Sequence, residues 1–88
     1  MTRPYVLLTQ DDCAACERLG RMLAGPLRGQ FADRIEVVHR QQDAEAFAAL
    51  CEASHVRSTP ALLNRASGAA LRDTGSLGAV RAFLSAAD

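Results

Sequence analysis

YVLLTQDDCAACERLGRMLAGP, residues 5–26, is the stretch whose reading decides the fold. Residues 5–8 form an apolar run bounded by Pro4 and by the polar Thr9 and Gln10, which predicts a buried strand. Beyond it, apolar side chains recur at Cys16, Leu19, Met22, Leu23 and Leu27, with spacings of three and four that define one helix face. Asp11 or Asp12 stands where an N-cap belongs, ready to accept from the first free amides. Gly25-Pro26 ends or kinks the helix, because proline has no amide for an interior bond. Two cysteines in C-x-x-C spacing thus fall at the junction of a strand and a helix.

Working outward, residues 35–39 (IEVVH) predict a second strand from their β-branched content. Asp43 is a plausible N-cap for a second helix with Phe47, Leu50, Cys51 and Ser54 on its inner face. Residues 61–63 (ALL) make a third strand, and the turn-rich Asn64 to Gly68 leads to a short fourth one around residues 69–71, forming a hairpin. Ser76 caps a last helix whose inner face carries Leu77, Val80 and Leu84, joined by Phe83. The order β-α-β-α-β-β-α predicts an α/β fold. The first two strands run parallel through a right-handed crossover, and the hairpin completes a four-stranded mixed sheet flanked by helices.

Composition bounds the function. Eighty-eight residues make one domain, 1–88, with a thin core. The 49% hydrophobic and 23% charged residues are ordinary globular values. Ten basic residues, all arginine, balance ten acidic ones, so there is no electrostatic case for nucleic acid or an anionic membrane. No long apolar run is present, and the expectation is a soluble, cytoplasmic monomer. Three cysteines do not describe a disulfide framework, and in a reducing compartment a C-x-x-C points to catalysis or metal binding.

The redox reading places Cys13 in the first turn of the helix, where free amides and the helix dipole favour an anion. Cys16 lies almost one turn further on and deeper, so one thiolate attacks while the other resolves a mixed disulfide. The metal reading adds Cys51 and His55, spaced i, i+4, to give four zinc ligands with Cys13 and Cys16. Against it, a core position explains Cys51 and a helix-end position explains His55. His39 at a strand end reads as a hydrogen-bonded surface histidine, and Arg57 as a solvated one.

The strand–C-x-x-C–helix start, together with VRSTPALL at residues 56–63, resembles the thioredoxin/glutaredoxin superfamily. The matching residues are Cys13, Cys16, the Thr59-Pro60 step and the Gly75-Ser76 helix entry. The resemblance implies a thioredoxin-like fold and a cis bond at Pro60, which otherwise reads as an ordinary trans proline opening a strand. It also implies that the Thr59 backbone pairs with an extended substrate segment beside Cys13. The approach to the motif is closer to small glutaredoxins. It departs from thioredoxins in Leu7, where they bury an acid, and in lacking Trp and Gly-Pro around the cysteines. Ala14-Ala15 and the acids ahead of Cys13 depart from glutaredoxins.

The implied activity is thiol–disulfide exchange, with Cys13 and Cys16 catalytic, Thr59 and Pro60 binding substrate, and neither metal nor organic cofactor. The partners are a disulfide-containing protein or small thiol and a recycling reductant, either thioredoxin reductase or glutathione. Asp11 and Asp12 oppose a thiolate and so favour a reductase over an oxidase. They also weigh against glutathione, which carries two carboxylates and stays open only as a co-substrate. A redox-inactive interaction domain on the same fold is the remaining alternative.

Overall fold

Strand β1 (Tyr5–Thr9) runs through the middle of the sheet. Tyr5, Val6, Leu7 and Leu8 are all buried, which is why their run is unbroken: a strand covered on both faces has no solvent side for polar residues. It pairs in parallel with β2 (Ile35–His39), from Tyr5 against Ile35 to Thr9 against His39. Its other edge pairs antiparallel with β3 (Ala61–Asn64), which turns into the short β4 (Ala70–Leu71). The sheet order is β2-β1-β3-β4. With helices α1 (Ala14–Ala24), α2 (Ala44–Ser54) and α3 (Leu77–Ser85), the chain is α/β in the expected element order. The computed structural model describes residues 3–85.

Alternating side chains divide the core into two layers. Tyr5 and Leu7, with Ile35 and Leu62, pack against Leu19 of α1 and Val80 and Leu84 of α3. Val6 and Leu8, with Val38, Ala61 and Leu63, pack against Phe47 of α2 and against Val56. The Tyr5 hydroxyl donates to the Phe83 carbonyl at 2.9 Å, tying the first strand to the last helix.

Several expectations change once the chain folds. Helix α1 stops at Ala24, with the Gly25 amide closing on the Arg21 carbonyl at 2.8 Å. Leu27, expected on the helical face, is buried from the irregular segment that follows, together with Phe31. Leu77, expected on the inner face of α3, is 38% exposed; it is the first residue of the helix, and the buried positions are Val80 and Leu84. Ser76 does cap α3, accepting from the Ala79 amide at 3.2 Å. At α2, Asp43 is the N-cap residue but its carboxylate makes no capping bond and accepts instead from the His39 amide at 3.1 Å.

The hairpin turn is built by Asn64, whose Oδ1 accepts from the amides of Ala66 and Ser67 at 2.9 and 3.2 Å. Helix α2 ends at His55, which adopts the left-handed conformation at φ 57° and donates its amide to the carbonyls of Cys51 and Glu52. No helix among the described residues is long and apolar enough to cross a membrane.

Leu8 is fully buried in the α2 layer, so Leu8→Ala is expected to cost about 2–5 kcal/mol, a large part of what so small a chain can hold. Val37 is 57% exposed on β2, and Val37→Ala is expected to stay within about 0.5 kcal/mol. Urea unfolding of both variants checks the contrast; comparable losses would contradict the assigned layers.

Candidate functional site

The chain leaves β1 at Thr9 and enters α1 within four residues. Asp12 makes the bend in the left-handed region, at φ 54°, a conformation that Asp tolerates better than most residues. Cys13 follows in extended conformation as the N-cap of α1. Its carbonyl accepts from the Glu17 amide, and its Sγ accepts from the Cys16 amide at 3.1 Å. The expectation that an aspartate caps this helix is therefore corrected: the cysteine sulfur takes that place, and Asp11 binds elsewhere. Cys13 is half-buried and Cys16 buried. The two form a disulfide, with Cα atoms 5.2 Å apart.

Facing the disulfide is the segment that leads into β3. The Thr59–Pro60 peptide bond is cis, and the Thr59 Oγ1 lies 3.9 Å from the Cys13 Sγ. Pro60 is buried beneath Thr59, while Arg57 and Ser58 are exposed. The structure thus brings Cys13 and Cys16 together with Thr59 and Pro60, although Cys13 and Thr59 are 46 residues apart in sequence.

Thr59 borders two concave surfaces. The larger, about 700 Å³, opens between α2 and the Arg57–Thr59 segment, with Gln10, Arg40, Cys51 and Arg57 in its wall. It carries two guanidinium groups and no carboxylate among its lining residues. The smaller, about 330 Å³, lies on the other side, between Arg18 of α1 and the loop at Arg72 to Gly75. Arg57, read from sequence as a solvated residue, contributes to the wall of the larger cleft.

Arg40 and Gln10 were not singled out by sequence reasoning. Both follow the C-terminal end of a strand, and parallel pairing of β1 and β2 sets those ends side by side. The Arg40 guanidinium donates to the Gln10 Oε1 at 3.1 Å. That parallel pairing was the signal that could have found them.

The four zinc ligands considered above are not assembled. Cys13 and Cys16 are bonded to each other, and among the described residues no group of three His, Cys, Asp or Glu side chains is placed to hold a metal ion. Cys51 is the free cysteine and lies half-buried beside Phe47 and Leu50. Burial pushes its thiol up from its ordinary value, and the Arg40 guanidinium pulls in the opposite direction. His55 serves through its backbone, closing α2 and accepting from Arg72 at 3.0 Å.

Compared with protein-family models, with curated proteins and with solved structures, the chain matches none of them.

In the oxidised protein Cys51 is the free thiol, so its alkylation by iodoacetamide can be followed alone. The pH at half-maximal rate is expected above that of free cysteine, because burial disfavours the thiolate. It should rise further in Arg40→Ala, which removes the cation that favours the thiolate. A midpoint that falls in that variant would contradict the assigned contact.

Proposed function

We propose that the protein is a thiol–disulfide oxidoreductase with a thioredoxin-like fold, similar to the small glutaredoxins, acting as a reductase. The observation that carries this reading is the placement of Cys13. Its sulfur occupies the N-cap of α1, accepts a backbone hydrogen bond there, and stands beside both Cys16 and Thr59. A helix N-terminus favours a thiolate over a thiol.

In the reduced protein, the Cys13 thiolate attacks one sulfur of a substrate disulfide. The substrate S–S bond breaks as the new bond forms, and the second substrate sulfur leaves as a thiolate. Cys16 then loses its proton and attacks the Cys13 sulfur, releasing the first substrate sulfur and forming the Cys13–Cys16 disulfide. Two electrons have passed from the dithiol to the substrate. A recycling partner returns them, either a reductase of the thioredoxin-reductase kind or two equivalents of a thiol. Thr59, at the edge of both clefts, is where the substrate backbone is expected to lie. The acids at Asp12 and Glu17 oppose the thiolate, which supports transfer towards the substrate. A reducing compartment such as the cytoplasm suits a reductase of this kind.

Glutathione gains support as a co-substrate from the larger cleft. The acidic approach to Cys13 argues against it in sequence, but Asp11 is bound to His39 and absent from the cleft wall, where Arg40 and Arg57 stand. Guanidinium groups pair well with carboxylates.

Insulin reduction by dithiothreitol should be accelerated by the wild-type protein and fall to the background rate in Cys13→Ser. Cys16→Ser should accumulate a mixed disulfide at Cys13, visible by mass spectrometry, and with glutathione disulfide a glutathionyl adduct. No acceleration by the wild type and no adduct in Cys16→Ser would leave an interaction domain as the better description.

A further inference from the structure

The turn after β2 grips the loop that carries Cys13. The Arg40 amide donates to the Thr9 carbonyl at 2.9 Å, and the Asp11 amide donates to the Gln41 Oε1 at 3.1 Å. His39 adds a side-chain bond to this contact, with its Nε2 at 2.9 Å from the Asp11 Oδ1. The His39 ring is itself held in place. Its side chain is 15% exposed, and its Nδ1 accepts from the amides of Gln41 and Gln42 at 3.1 and 3.2 Å. With Nδ1 committed as an acceptor, the proton of the neutral ring sits on Nε2 and is donated to Asp11.

This contact accounts for one of the two aspartates that precede the cysteine cap of α1, since it engages Asp11 away from the helix. A carboxylate is among the strongest N-caps, and a thiol sulfur is a weak acceptor. Left free, Asp11 would compete for the first amides of the helix. It is instead engaged 28 residues along the chain, by a ring whose other nitrogen is anchored.

We propose that His39 is a positioning residue for Cys13: by holding the Asp11 carboxylate on the turn after β2, it leaves the N-terminus of α1 to the Cys13 sulfur. This rests on the reading of Cys13 as the nucleophile. Releasing Asp11 puts a negative charge and a competing acceptor at the place where the thiolate is stabilised, which raises the thiol's ionisation midpoint and lowers its reactivity. Other charged side chains lie on the elements around this loop and are common to the His39 and Asp11 variants. They are Asp12, Glu17 and Arg18 on its own loop and helix, Arg40 and Asp43 from the turn after β2, Arg57 beside Thr59, and Arg72 and Asp73 from the loop after β4. Comparison of His39 and Asp11 variants therefore isolates the pair.

The test is the pH profile of Cys13 alkylation by iodoacetamide in the fully reduced protein, read on the Cys13 peptide by mass spectrometry, with folding checked by circular dichroism. His39→Asn is expected to slow alkylation at neutral pH by about three- to tenfold and to move the midpoint upward. Asp11→Asn alone should change the rate less than about twofold, and should restore it when combined with His39→Asn. His39→Gln, which keeps a donor towards Asp11, should stay near the wild-type profile. A folded His39→Asn protein with an unmoved profile would overturn the proposal, as would a double variant as slow as His39→Asn. Should His39→Asn fail to fold, a large acceleration in Asp11→Asn would overturn it, since the charge would then already be acting on Cys13. A wild-type midpoint at that of an ordinary thiol would instead overturn the nucleophile reading itself, and this proposal with it.

Discussion

The structure depends on β1 being buried on both faces and hydrogen-bonded along both edges. Tyr5 and Leu7 enter one core layer and Val6 and Leu8 the other, so a single five-residue strand holds all three helices to the sheet. A slip of one residue would exchange the two layers, which fixes the register and with it the point where the chain leaves the sheet. That point is where Cys13 stands. The candidate site is therefore attached to the most constrained element of the molecule, although it is built from loops.

In the proposed function, the start of α1 sets helix stability against chemistry. An aspartate cap would satisfy the first amides better than a sulfur does, and two aspartates are available. The chain instead bends at Asp12, ties Asp11 to His39, and presents the Cys13 sulfur to the Cys16 amide. A departure from the locally preferred arrangement is expected where a group must remain reactive. In the proposed mechanism the cysteine gains a donor for its thiolate, and the helix accepts a weaker cap.

Much of the fold was legible because its signals are local. The apolar run at residues 5–8, the β-branched stretch at 35–39 and the turn residues from Asn64 to Gly68 each predicted an element that is present. Errors came where a local pattern continued past the element that produced it. Leu27 keeps the helical spacing of α1 yet packs from beyond its end, because Gly25 and Pro26 stop the helix while the core still has room for a side chain. Leu77 keeps the spacing of α3 but opens that helix and is left exposed. Asp43 was recognised as an N-cap by type, but its carboxylate serves the His39 amide, a partner four residues back.

By itself, the sequence determined the order of the elements, the burial of β1, and the position of both cysteines at a strand–helix junction. Periodicity and turn chemistry act over a few residues and can be read there. Tertiary structure decided the rest of the candidate site. The register of β1 against β2 set Thr9 beside His39, and so brought Asp11, Gln10, Arg40 and Gln41 into one network. The return of the chain into β3 placed Thr59 against Cys13 across 46 residues. Contacts over such distances follow from which strands pair and in what register, and no short stretch of the chain carries that information.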